Sequence, residues 1–180
     1  MAIPGAIVII VVAAAALYYE NGGDAPPVMG AVQNFIVATE AETVPAVSVI
    51  DADGGSVAFE RYRGKLIVLN FWATWCSPCI RELPSLERLS ALLPADKARV
   101  VLLSQDRGGF DQVTPFLANL KIDIADSYVD ERLGFSRAAA VQSLPTTILF
   151  GPDGVELGRL TGVAEWDSPE ALALIRYYLK

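Results

Sequence analysis

A chain of 180 residues, 53% hydrophobic and 19% charged, carries enough apolar material for one buried core and too little for two. Its net charge of -7 arises wholly within residues 1–60, where seven carboxylates face no Lys or Arg, so no basic patch is offered to a phosphate backbone and nucleic acid is not expected as a partner. The complete lack of histidine removes Ser-His and Cys-His nucleophile pairs, histidine proton shuttles and the usual zinc and copper sites.

The chain opens with an uncharged run from Ala2 to Tyr19, of which Ala6 to Leu17 is unbroken Ala, Ile, Val and Leu. As a helix this run rises about 27 Å, close to the hydrocarbon thickness of a bilayer. A cleavable signal competes, because Ala13 to Ala16 offers small-residue cleavage sites, but the positively charged leading region is missing. Residues 1–19 are therefore expected to form a retained single-pass membrane anchor. No positive side chain follows the span until Arg61, which places the bulk of the chain on the exported side.

Residues 20–45 read as an acidic tether that opens with the breaker cluster Asn21-Gly22-Gly23-Asp24-Ala25-Pro26-Pro27. A short helix within Val28 to Ala38 is a weak alternative for part of it. The globular part is expected over residues 46–180. It begins with a β-branched run to Ile50 and the turn Asp51-Ala52-Asp53-Gly54-Gly55.

Leu66 to Trp72 is almost wholly apolar, as suits a strand covered on both faces. Beyond Trp75, Ile80, Leu83, Leu86, Leu89 and Leu93 recur at helical steps. Arg99 to Leu103 predicts a second buried strand, followed by a helix carrying Phe110, Val113, Phe116, Leu117 and Leu120. A third strand, Thr146 to Phe150, ends at the turn Gly151-Pro152-Asp153-Gly154 and leads into Val155 to Leu160. The last helix starts at Ser168-Pro169-Glu170, an N-cap with Pro at the first helical position. Alternating strands and helices that finish in a hairpin predict an α/β fold: a mixed central sheet with helices on both faces.

The chemistry concentrates at Trp75-Cys76-Ser77-Pro78-Cys79, between the Leu66 strand and the following helix. The two-residue gap puts both sulfurs on the first helical turn, where free N–H groups and the helix dipole favour a thiolate on the leading cysteine. Cys76, at the helix mouth, is expected to attack, and Cys79, carried inward, to resolve. A zinc site would need about four ligands, and the chain has two cysteines and no histidine. A structural disulfide closing so small a loop would constrain the unfolded chain little. A thiol peroxidase and a tethered binding module with a structural disulfide stand as the rival functions.

The segment Gly64-Lys65-Leu66-Ile67-Val68-Leu69-Asn70-Phe71-Trp72-Ala73-Thr74-Trp75-Cys76-Ser77-Pro78-Cys79-Ile80-Arg81-Glu82-Leu83-Pro84 resembles the active-site segment of the TlpA-like thiol:disulfide oxidoreductases of bacterial periplasms. Leu144-Pro145-Thr146-Thr147 and Gly162-Val163-Ala164-Glu165-Trp166 resemble further landmarks of that family, so the likeness runs from about Ala46 to Lys180. The resemblance implies a thioredoxin fold and a protein-disulfide reductase held in the bacterial inner membrane with its catalytic domain in the periplasm. It implies no cofactor beyond the redox-active Cys76–Cys79 pair. The implied partners are client proteins with reducible disulfides, serving cytochrome oxidase copper insertion or cytochrome c maturation, and a membrane thiol donor that resupplies electrons.

Carried over residue by residue, the resemblance implies a cis Pro145 facing Cys76, where the residues alone allow an ordinary strand-entry proline. It turns the backbone of Leu144 toward the cysteines, ready to pair with an extended substrate segment. Trp75 and Pro78 join Leu144 and Pro145 as candidate substrate contacts, with core packing the alternative for Trp75; Trp72 and Trp166 are read as core. Glu82, on the helical face of Cys79, is either a solvated helix acid or, by resemblance, the carboxylate that tunes proton removal from Cys79. Thioredoxin itself has a buried Asp where Asn70 stands, and Asn70 cannot accept a proton, which leaves the acid-base role to Glu82. Some relatives tie the leading segment to the domain with a further cysteine pair. Val155 occupies one such place, so docking of residues 28–45 lacks that tie and stays open, resting on whether the apolar Val28, Met29, Val32, Phe35 and Ile36 of the short helix settle on the domain.

Overall fold

Leu66–Trp72 is the central strand, and all seven of its residues are buried. The structure, a computed structural model, describes residues 25–180; the anchor expected over residues 1–19 lies outside them. In chain order the strands are β1 (Phe35–Val37), β2 (Val49–Ile50), β3 (Ser56–Val57), β4 (Leu66–Trp72), β5 (Ala98–Ser104), β6 (Ser127–Val129), β7 (Thr146–Phe150) and β8 (Glu156–Thr161). The helices are α1 (Ser77–Leu92), α2 (Gly109–Leu120), α3 (Gly134–Ala138) and α4 (Pro169–Tyr178). Among the described residues no helix is long and apolar enough to cross a membrane.

The strands form one sheet in the order β1-β8-β7-β4-β5-β6-β2-β3. β4, β5 and β6 run parallel, and the β7–β8 hairpin pairs antiparallel with β4, so the sheet is mixed as expected. Period-2 alternation splits β4 between two cores. Leu66, Val68 and Trp72 face one core with residues of α1, α2 and α4. Ile67, Leu69 and Phe71 face the other, with Phe135 of α3 and with Phe59 and Tyr62 of a 3-10 turn. Trp72 and Trp166 are fully buried, in agreement with the core reading. Ser168 caps α4 by accepting from the Ala171 N–H at 3.2 Å, as its sequence announces.

The leading segment differs from expectation. Residues 28–45, assigned to a tether, lie on the domain, and the weak helix is replaced by a single 3-10 turn, Gly30–Val32, followed by β1. β1 adds an antiparallel edge to β8 with Phe35 opposite Leu160. The cause is burial: Val32 and Phe35 enter the α1-side core, each such side chain contributing about 1.5–3 kcal/mol against the cost of ordering the chain. Gly158 of β8 makes room, since a Cβ there would lie 2.5 Å from the Ile36 carbonyl oxygen and from the Phe35 ring. No cysteine pair is needed for this docking. Thr43 bridges to Val155, and Val44 N–H donates to the Gly154 carbonyl at 2.9 Å.

Candidate active site at the start of helix α1

The site lies where β4 ends and α1 begins. Cys76 is the N-cap residue of α1, in extended backbone geometry, and its Sγ accepts from the Cys79 N–H at 3.3 Å. The two cysteines are joined as a disulfide with their Cα atoms 5.3 Å apart. Cys76 is 5% exposed and Cys79 is 0% exposed, which reproduces the expected order of access. Pro78 sits in the first helical turn, where its missing N–H costs nothing.

A groove of about 670 Å³ opens above Cys76. Its walls come from four parts of the chain: Trp75, Ser77 and Pro78 beside the cysteine, Gln105 just past β5, Leu133, Ser136 and Arg137 around α3, and the segment from Val141 to Leu144. The Leu144–Pro145 peptide is cis. Among the described residues no chain hydrogen bond engages the backbone of Leu144, whereas the Pro145 carbonyl accepts from Gly162 N–H at 2.9 Å. Pro145 itself is buried and, unlike Leu144, is not among the residues that line the groove. Trp75 is 66% exposed on the rim, so the core alternative for this tryptophan does not hold.

Beneath the cysteines lies a buried polar cluster. Glu82 is 1% exposed rather than solvated. Asn70 Nδ2 donates to Glu82 Oε1 at 2.7 Å and to Thr147 Oγ1 at 2.9 Å, and Ala164 N–H donates to Glu82 Oε2 at 3.2 Å. Burial raises the Glu82 pKa from 4.5 to about 7, against the opposing pull of the Asn70 and Ala164 donors. The Trp166 indole N–H, which has no partner at hydrogen-bond geometry, adds a weaker pull in the same downward sense. At neutral pH this carboxyl can therefore give or take a proton.

Asp106, which sequence reasoning missed, fixes the approach to the cysteines. It is buried at the end of β5 and accepts from Thr74 N–H at 2.8 Å, Thr74 Oγ1 at 2.7 Å, Ser104 Oγ at 2.7 Å and Gln112 Nε2 at 3.0 Å. Thr74 lies two residues before Cys76, so these bonds pin the β4–α1 loop. The available signal was positional: Gln105-Asp106 stands just past the carboxyl end of a parallel strand, where open α/β sheets place their sites.

Comparison with known proteins agrees with this arrangement. The family model described as Redoxin matches residues 39–175. The chain belongs to the redoxin family. It is similar to the thioredoxin-like protein YneN of Bacillus subtilis (strain 168), with 31% identity over 118 residues that cover 64% of this chain and 68% of the relative. It is also similar to the thiol-disulfide oxidoreductase ResA of Bacillus thuringiensis subsp. konkukian (strain 97-27), with 28% identity over 120 residues, 66% of this chain and 67% of the relative. The crystal structure of a putative thiol:disulfide interchange protein DsbE from Chlorobium tepidum superposes with a TM-score of 0.70 over 78% of this chain and 98% of its own, at 23% identity, which shows the shared fold. With its Cys76–Cys79 disulfide at a helix N-terminus, this redoxin is a thiol:disulfide oxidoreductase.

Proposed function

We propose that the chain is a TlpA-type reductase of client disulfides, held by residues 1–19 in the inner membrane with its domain in the periplasm. The observation that carries the reductase part is a single juxtaposition: Cys76, 5% exposed and lining the groove that Leu144 walls, over a Cys79 that is fully buried. Placement rests on the uncharged leading run and on the absence of positive side chains before Arg61. Clients that serve cytochrome oxidase or cytochrome c assembly, and a membrane donor of thiols, follow from the family resemblance.

The reaction begins with Cys76 as thiolate, favoured by the N–H groups of the first α1 turn. It attacks one sulfur of the client disulfide, the Cys76–client bond forms, the client S–S bond breaks, and the freed client thiolate takes a proton from water. Cys79 then passes its proton to Glu82 and attacks Cys76. The Cys76–Cys79 bond forms as the second client thiolate leaves, so the client gains two electrons and the pair loses two. Extended client backbone pairs with the unoccupied N–H and C=O of Leu144 while Trp75 and Pro78 contact its side chains. No cofactor enters these steps.

Trapping tests the division of labour. With Cys79→Ser, client accumulates as a covalent adduct on Cys76; with Cys76→Ser, adducts nearly vanish, because the remaining thiol is buried. Both variants lose the same disulfide, so folding is controlled. Adducts on Cys76→Ser alone would reverse the assigned order, and peroxide consumption by the wild-type dithiol at a rate exceeding client reduction would replace the reductase with a peroxidase.

A further inference from the structure

The groove above Cys76 carries one charged side chain among its lining residues, Arg137. The rest of its polar lining is neutral: Ser77, Gln105, Ser136, Gln142 and Ser143. Arg137 stands in the last turn of α3, is exposed, and donates from Nη2 to the Arg132 carbonyl at 2.7 Å. That bond holds one side of the guanidinium. No ion pair engages it among the described residues, so its other N–H groups remain free to meet a carboxylate side-on. The carboxylate hydrogen-bonded to the lining residue Ser136, Asp130, does not compete. It is buried and occupied by Phe135 N–H at 3.3 Å and by Ser136 N–H and Oγ, both at 2.7 Å.

We propose that Arg137 makes the groove selective for client segments that carry an acidic residue close to the cysteine under attack. The proposal rests on the reading of this groove as the client-docking site and adds the chemistry of the preferred client. The domain from Arg61 onward balances 14 acids with 14 bases, and the 60 residues before it add seven carboxylates, so the field of the whole chain works against an acidic client. A preference for acid therefore has to come from the groove itself. Recognition by a fixed, exposed guanidinium supplies orientation and weakens as salt rises.

The test uses the full chain as dithiol and disulfide-linked peptides identical except for Glu, Gln or Lys two residues from the reactive cysteine, placed on either side in separate sets. At low ionic strength the second-order rate of peptide reduction is expected to favour Glu over Gln by about two- to fivefold and Glu over Lys by about tenfold in at least one set. The spread shrinks as salt is added. Arg137→Glu inverts the order to Lys over Gln over Glu, whereas Arg176→Glu, the same charge change on α4, leaves it intact. Equal rates for the three peptides in both sets, an unchanged order in Arg137→Glu, or an inversion by Arg176→Glu as well would each overturn the proposal. If the dithiol reduces none of the peptides, the client-docking reading itself falls and the proposal with it, an outcome that the rate order of the reactive cases keeps distinct.

Discussion

The two sides of the Cys76–Cys79 pair are built from opposite materials. Above Cys76 the surface is open, and its contributions come from segments distant in sequence: Trp75 before the helix, Arg137 on α3 and Leu144 before β7. Below Cys79 the groups are buried and mostly tied: Asn70 links Glu82 to Thr147, and Ala164 closes the second Glu82 oxygen, while Asn70 Oδ1 and the Trp166 indole N–H have no hydrogen-bond partner. The upper side can exchange one client for another because its groups are solvated and cost little to leave unpaired. The lower side performs one proton transfer in a place where an unpaired polar group costs about 1–3 kcal/mol, so its geometry tolerates little change.

The contrast breaks first if Glu82 proves idle. Glu82→Gln keeps size and one hydrogen-bond acceptor but removes the proton acceptor. Resolution of a preformed Cys76 mixed disulfide is expected to slow by about 10²-fold or more, while the initial attack by Cys76 changes little. Stopped-flow separation of the two steps checks this. Equal slowing of both would mean that the variant perturbs the whole helix end rather than the proton step.

A second consequence concerns stability, and its sign is fixed by the direction of the shift. Glu82 has a pKa of about 7 in the folded chain against 4.5 unfolded. Below about pH 4.5 both states hold the proton and the group is neutral in its effect. Between about 4.5 and 7 the unfolded state loses the proton first, so stability falls as pH rises, and it levels off above 7. The full span is on the order of 3 kcal/mol. Denaturant unfolding of the oxidised protein at pH 5 and pH 8 is expected to show this decline, and Glu82→Gln to remove most of it.

Much of this division was legible in the sequence, and what escaped did so for physical reasons. β4, α1, β5, β7 and α4 announce themselves through long apolar runs or caps, and the cysteines are local neighbours on one helical turn. β6 has three residues and α3 has five, too few for a period to register. Within residues 28–45 the apolar residues 28, 29, 32, 35 and 36 recur at helical steps, yet the segment forms a 3-10 turn and an edge strand. Val32 and Phe35 find their place only because Gly158, more than 120 positions later, leaves space beside β8. Glu82 could be placed on the Cys79 face, but its burial depends on Asn70, Thr147 and Ala164, which no spacing brings together.

Asp106 sharpens the comparison because it belongs to neither side and holds the loop between them. Asp106→Ala leaves the buried Ser104 hydroxyl and the Thr74 N–H without their acceptor, and a loss of about 2 kcal/mol of stability is expected. Client attack should slow as well, since Thr74 no longer fixes the turn into Cys76. Asp106→Asn keeps the acceptor oxygen and should restore part of both. Denaturant midpoints and attack rates measured on the same preparations decide whether the two losses travel together.

The smallest effect is expected at Trp75, an exposed group of the upper side. At 66% exposure it contributes little to folding, so Trp75→Ala should move stability by less than about 0.5 kcal/mol. Its large apolar face beside the groove is nonetheless free to cover a client side chain next to the attacked disulfide, and aromatic contacts of that kind carry a disproportionate share of binding. Client KM is therefore expected to rise several-fold with kcat nearly unchanged, the signature of lost binding that is equal in ground and transition states. A fall in kcat with KM constant would place Trp75 in the chemistry of Cys76 instead. A large loss of stability would mean that the upper side, too, is tied into the core, and the distinction between a replaceable docking face and a fixed proton pocket would no longer describe the site.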